Sequence, residues 1–89
     1  MDTQLDVQRR IISCLRSILP ARYATHPFQP ETRFDVDCDM DSLAFVEFLV
    51  ALEEEFGLNL SEDSLRLREI ATVADMVVFI EPLTSTNAR

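Results

Sequence analysis

Val7, Ile11, Ile12, Leu15, Ile18 and Leu19 recur at steps of three and four, the period that gives a helix one apolar face, and predict a helix from Asp6 to Leu19. Pro20 ends it, having no amide hydrogen to extend the ladder. The next stretch, ARYATHPFQPETRF, holds Pro27 and Pro30 and shows no helical period, so it reads as a long connecting loop. A loop of that length in so small a chain is often functional. Its lone His26 has no companion ligand or nucleophile nearby and reads as a solvated loop histidine.

A second helix is predicted from the Asp41/Ser42 pair to Phe56, with Gly57 as its C-terminal stop. Asn59 or Ser61 then opens a short third helix through Leu65 and Leu67, with a ragged period. Thr72 caps a last helix, Asp75 stands three residues on as in a capping box, and Val73, Met76, Val77 and Ile80 form its apolar stripe. Pro82 is expected to end this helix, leaving residues 83–89 as a flexible polar tail. With one glycine and no strand-like alternation, the chain is expected to be all-α, one domain over residues 1–82.

On the wheel of the second helix, Phe45, Phe48, Leu49, Leu52 and Phe56 share one arc and satisfy the core. Leu43, Val46 and Val50 lie on a different arc, beside Glu47 and Glu54. A second apolar stripe flanked by carboxylates has no packing purpose, so it is expected to dock a partner with apolar pockets and a basic rim. The competing explanation is ordinary surface exposure of single apolar residues.

Charge sharpens that expectation. The net charge is −8, all eight basic residues are arginine, and none falls between Arg33 and Arg66, where ten carboxylates lie. Such a field repels phosphate backbones and anionic lipid, which excludes nucleic acid as a partner, and steers basic protein surfaces instead. The first residues, MDTQLDVQRR, lack a signal-peptide pattern, and no apolar run approaches a membrane span, so a cytoplasmic chain without membrane insertion is expected. Cys14 and Cys38 lack the paired spacing of zinc or disulfide frameworks and read as reduced thiols.

DVDCDMDSL, residues 35–43, alternates aspartates as a calcium loop does. Starting at Asp35, however, the turn position that needs glycine is Met40 and the bidentate position is Val46, with Glu47 one residue late. Starting at Asp37 puts Phe48 in the bidentate place. Neither frame closes a coordination sphere, and no metal site is expected.

Ser42, at or next to the N-cap, is explained by capping alone. The same place suits a covalently attached phosphate diester, because unpaired amides and the positive end of the helix dipole face the anion. No histidine or lysine stands near in sequence to activate Ser42, so a self-sufficient hydrolase is excluded and any reaction at this serine needs another protein.

These residues carry a resemblance. DCDMDSL followed by VEFLVALEEEFGLNL resembles the acyl carrier proteins, whose typical stretch reads D-L-G-x-D-S-L before a helix ending in L-E-E-E-F. The DSL of Asp41, Ser42 and Leu43 and the ALEEEF of Ala51 to Phe56 stand intact at the usual separation. The resemblance implies a four-helix bundle with a long loop between helices 1 and 2 and a short third helix. It implies that a phosphopantetheinyl transferase attaches 4'-phosphopantetheine from coenzyme A to Ser42, with Asp41 and Leu43 beside it. The arm's thiol then carries an acyl group as a thioester; the carrier itself is not an enzyme. It further implies partners such as an acyl- or aminoacyl-loading ligase, a synthase or an acyltransferase with basic docking surfaces, meeting a monomer at Glu47, Val50 and Glu54. Leu60 and Ile70 fall where an acyl chain is often sheltered.

Departures point to a specialised fatty acid, lipid or polyketide-type pathway. The usual glycine two before the DS pair is Asp39, the usual leucine before it is Cys38, and the acid often found two residues after the serine is Ala44. An aminoacyl or peptidyl carrier is the near alternative, although Asp39-Met40-Asp41 replaces the GGxS approach common there. An unmodified interaction module or a divalent-cation binder are the alternatives of a different class.

Overall fold

The computed structural model describes residues 3–23, 25–60 and 67–87 of the chain. Among the described residues there are three α-helices, α1 (Thr3–Ile18), α2 (Ser42–Phe56) and α3 (Val73–Asn87), with a short 3-10 helix at Ala21–Tyr23. Among the described residues there is no β-strand, and Arg33 and Thr72 form an isolated antiparallel bridge. The third helix expected around residues 59–67 falls mostly at 61–66, outside the described residues.

α1 packs against both α2 and α3. Ile11 and Leu15 from α1, Phe48 and Leu52 from α2, Met76 and Ile80 from α3, and Leu60 are all fully buried at the centre. Each such side chain contributes roughly 1.5–3 kcal/mol by leaving water. The wheel is thus realised, with Phe45, Leu49 and Phe56 half-buried against the same core.

Helix ends follow local signals. The Asp41 carboxylate accepts the Ala44 amide, while Gly57 sits left-handed (φ 66°, ψ 40°) and donates its amide to the Glu53 carbonyl. Arg10 ties the far end of α2 to α1, with Nε 2.7 Å from Glu55 Oε2, Nη2 2.8 Å from the Glu55 carbonyl, and its guanidinium over the Phe56 ring. At α3, the Asp75 amide donates to Thr72 Oγ1 (3.1 Å) and the Thr72 amide to Asp75 Oδ2 (3.2 Å), the reciprocal pair expected of a capping box.

α3 does not stop at Pro82, contrary to the expectation from sequence: the proline lies inside the helix, which runs on to Asn87. Proline removes one intrahelical amide and clashes with the preceding turn, but it does not bar later residues from the helix. Here Leu83 packs against the core, so continuing the helix gains apolar burial that stopping at Glu81 would forfeit.

The segment between α1 and α2 is held to the body of the fold. Phe34 and Cys38 are buried in the core although no periodicity marks them. The Thr32 and Pro30 carbonyls accept the Val73 and Ala74 amides at 3.0 and 2.9 Å, satisfying donors that the first turn of α3 cannot pair internally. Arg16 donates to the Tyr23 and His26 carbonyls at 3.2 and 3.0 Å and lies over the Phe28 ring. His26 is half-buried between Tyr23 and Phe28 (centroids 5.6 and 4.9 Å), so it belongs to an aromatic row and not to open solvent.

Candidate functional site

Asp41 and Ser42 divide two roles that the sequence left to one residue. Asp41 has extended backbone (φ −89°, ψ −177°) and is the N-cap, its Oδ1 2.8 Å from the Ala44 nitrogen. Ser42 is therefore the first residue of the helix proper, exposed, and its hydroxyl makes no hydrogen bond to any described residue. A serine needed for capping would be bonded to an amide one turn ahead; this one is free to react.

The other aspartates of the run divide between two arginines. Asp35 grips Arg33 through both carboxylate oxygens (3.1 and 3.0 Å), and Asp37 accepts the Arg33 amide at 2.8 Å. Asp39 lies 3.7 Å from Arg22. The Arg33 hydrogen bonds, more than any other cause, pull the Asp35 carboxyl below its ordinary range, and the same contact raises Arg33. Among the described residues no three potential ligands gather as a metal would need.

Asp39, standing where the resembling family has glycine, keeps a left-handed backbone with φ 54°. Glycine enters this conformation freely, and aspartate tolerates it better than most other residues. A residue held that way turns the chain so that Met40 folds inward, its amide donating to the Phe34 carbonyl at 3.1 Å, while Asp41 emerges to cap α2.

Ser42 opens onto a cavity of about 820 Å³. Its wall is apolar, formed by Phe34, Met40, Phe45, Leu49, Leu67 and Ile70, and Arg33, Asp35, Asp41 and Arg68 supply its polar lining. Phe34 packs edge-on to Phe48 (5.2 Å between centroids) and tilted to Phe45 (6.1 Å), which fixes one side of this wall. Of the two residues suggested for an acyl-chain shelter, Ile70 lines the cavity. Leu60 lies in the core and is not part of the cavity wall. Phe34 and Met40 come from the connecting segment, where no sequence period could mark them as site residues.

The second stripe of α2 is exposed: Leu43 by 67%, Val46 by 54% and Val50 by 46%, large fractions for apolar side chains on a helix that is otherwise packed. Glu47 and Glu54 are exposed beside them. Val46 also lines the cavity, so the stripe and the cavity mouth meet at that residue. The neighbouring glutamates serve the fold instead, Glu53 accepting the Leu60 amide at 2.8 Å and Glu55 pairing with Arg10.

Both thiols are buried. Burial, ahead of the nearby Asp37 charge, pushes the Cys38 thiol up to about 11, and burial likewise raises Cys14, ahead of Glu55. Neither is placed to act as a nucleophile.

The family model described as the phosphopantetheine attachment site matches residues 9–80. An acyl carrier protein of Acidothermus cellulolyticus is 42% identical over 60 residues, covering 67% of this chain and 69% of the relative. Meromycolate extension acyl carrier proteins of Mycolicibacterium aurum and Mycolicibacterium smegmatis are each 33% identical over 82 residues, covering 90% of this chain and 82% and 81% of the relatives. No solved structure matches. The free hydroxyl at a capped helix start and the apolar cavity beside it fit a tethered pantetheine arm, and the chain belongs to the acyl carrier protein family, whose covalent group is 4'-phosphopantetheine.

Proposed function

We propose that Ser42 is the attachment point of the 4'-phosphopantetheine arm and that this chain carries acyl intermediates as thioesters without performing chemistry on them. The observation that carries this reading is the division of labour at the start of α2: Asp41 holds the cap, and Ser42 presents an exposed hydroxyl bonded to none of the described residues. With no base of its own to deprotonate it, Ser42 reacts when a phosphopantetheinyl transferase removes the proton. Its Oγ then bonds to the pantetheine-side phosphorus of coenzyme A, the pyrophosphate bond breaks, and adenosine 3',5'-bisphosphate leaves. Once attached, the arm supplies a thiol that forms a thioester with the acyl group.

Leu43, Val46 and Val50, rimmed by Glu47 and Glu54, form the docking face in this reading, suited to basic, apolar-pocketed surfaces on the transferase and on acyl-loading ligases, synthases or acyltransferases. The carrier is a single unit that includes α3 to Asn87 and acts as a monomer, in the four-helix, long-loop arrangement of its family. The names of the relatives favour an acyl over an aminoacyl cargo, and those from Mycolicibacterium favour a fatty acyl chain in a specialised lipid pathway.

The test is an intact mass spectrum before and after incubation with a broad-specificity transferase and coenzyme A. Gain of one phosphopantetheine mass by the wild type and none by Ser42→Ala is expected. A folded wild-type chain that gains nothing beside an active transferase would overturn the assignment.

A further inference from the structure

Two arginines line the cavity onto which Ser42 opens, Arg33 and Arg68. Their electrostatic situations differ. Arg33 is held by both oxygens of Asp35, so its charge is matched within the loop. Arg68 is exposed and has no carboxylate partner among the described residues, in a chain where Asp and Glu outnumber Arg by 16 to 8. Of the two arginines in the cavity lining, Arg68 is the one whose charge no described carboxylate holds, which leaves it open to another anion.

The surroundings make that anion identifiable by its chemistry. Asp35 and Asp41 line the same cavity as Ser42, and Asp39 lies close in sequence, so a phosphate diester at Ser42 enters an already negative setting. A diester keeps its negative charge at any physiological pH, and a planar guanidinium matches two phosphate oxygens at once. We infer that Arg68 is a positioning residue that holds the phosphodiester of the Ser42-linked arm and thereby keeps the arm over the apolar cavity. The inference rests on Ser42 as the attachment point. Arg68 lies next to Leu67 and two residues before Ile70, both of which line the cavity wall, so the segment that shapes the wall also carries the cation.

The test uses the full chain, modified by a transferase and coenzyme A and confirmed by intact mass, with phosphorus-31 NMR reading the diester directly. The wild-type diester resonance is expected to differ from its position in urea, and to move toward that position as sodium chloride is raised. Arg68→Gln should lose most of that difference and most of the salt response, Arg68→Lys should keep part of both, and Arg9→Gln, an exposed arginine on α1, should leave both unchanged. An Arg68→Gln resonance and salt response equal to wild type overturns the inference while leaving Ser42 as the attachment point. Failure of the wild type to gain the arm at Ser42 overturns both. Far-UV circular dichroism of each variant confirms that the fold is kept.

Discussion

The Asp41 carboxylate accepts the Ala44 amide at 2.8 Å, one residue before the serine that opens α2. Because the cap belongs to Asp41, stability and modification separate at adjacent positions. Asp41→Ala should cost about 1 kcal/mol in urea unfolding, the usual loss for an N-cap. Ser42→Ala should change stability by less than about 0.5 kcal/mol, as expected for an exposed site, while abolishing the mass gain. A large loss of stability in Ser42→Ala would mean that its hydroxyl also serves the fold.

Asp39 offers a second separation. With φ 54° it occupies backbone that glycine enters freely, and its ion pair with Arg22 is long and exposed. Relief of left-handed strain of about 1–2 kcal/mol, set against the greater freedom glycine adds to the unfolded chain, about 0.4–1 kcal/mol, leaves a net gain. Asp39→Gly should therefore raise the urea midpoint at unchanged slope. A lowered midpoint would show that the aspartate side chain stabilises this turn by more than its backbone costs.

The thiols give a prediction about chemistry. At pH 8 a thiol titrating near 11, as Cys38 does, is ionised in about one molecule in a thousand, and burial shields it as well as Cys14. The folded, unmodified chain should resist iodoacetamide, the modified chain should take a single label on its arm, and unfolding should expose two more sites. Rapid labelling of the unmodified folded chain would show that the core around α1 and the connecting segment opens readily.

Asp75 ties stability to acid. Hydrogen bonds from the Ala71 amide, and then from Thr72, hold its carboxyl below the ordinary value of 3.8. In the unfolded chain that carboxyl binds its proton first, so the contribution is complete above about pH 4 and is lost as pH falls through the lower folded value. The stability difference between wild type and Asp75→Asn should be constant from pH 7 to about 5 and shrink on approach to pH 3. A difference that does not change with pH would assign the effect of the substitution to packing instead of charge.

Charge reversal tests the docking face. Glu47→Lys with Glu54→Lys should slow transfer of the arm to Ser42 several-fold and flatten the dependence of that rate on salt, with far-UV circular dichroism unchanged. Both glutamates are exposed and make no hydrogen bond or ion pair among the described residues, unlike Glu53 and Glu55. Unchanged transfer rates would move the docking face away from this stripe.

What the sequence by itself determined was local: the bounds of α2 between Asp41 and Gly57, the Thr72 and Asp75 capping box, and the division of α2 into a buried and an exposed stripe. Caps act within one turn and burial follows a fixed period, so both are written in short windows of residues. Only the tertiary structure decided the rest. Pro82 stays within α3 because Leu83 finds a place on the core, which no local rule foresees. The four aspartates look alike in sequence, yet Arg33, Arg22 and the Ala44 amide, brought to them by the path of the connecting segment, give them different work. Phe34 and Met40 wall the cavity beside Ser42 because the chain between α1 and α2 is pinned to the start of α3, a contact between residues some forty positions apart that has no period to announce it.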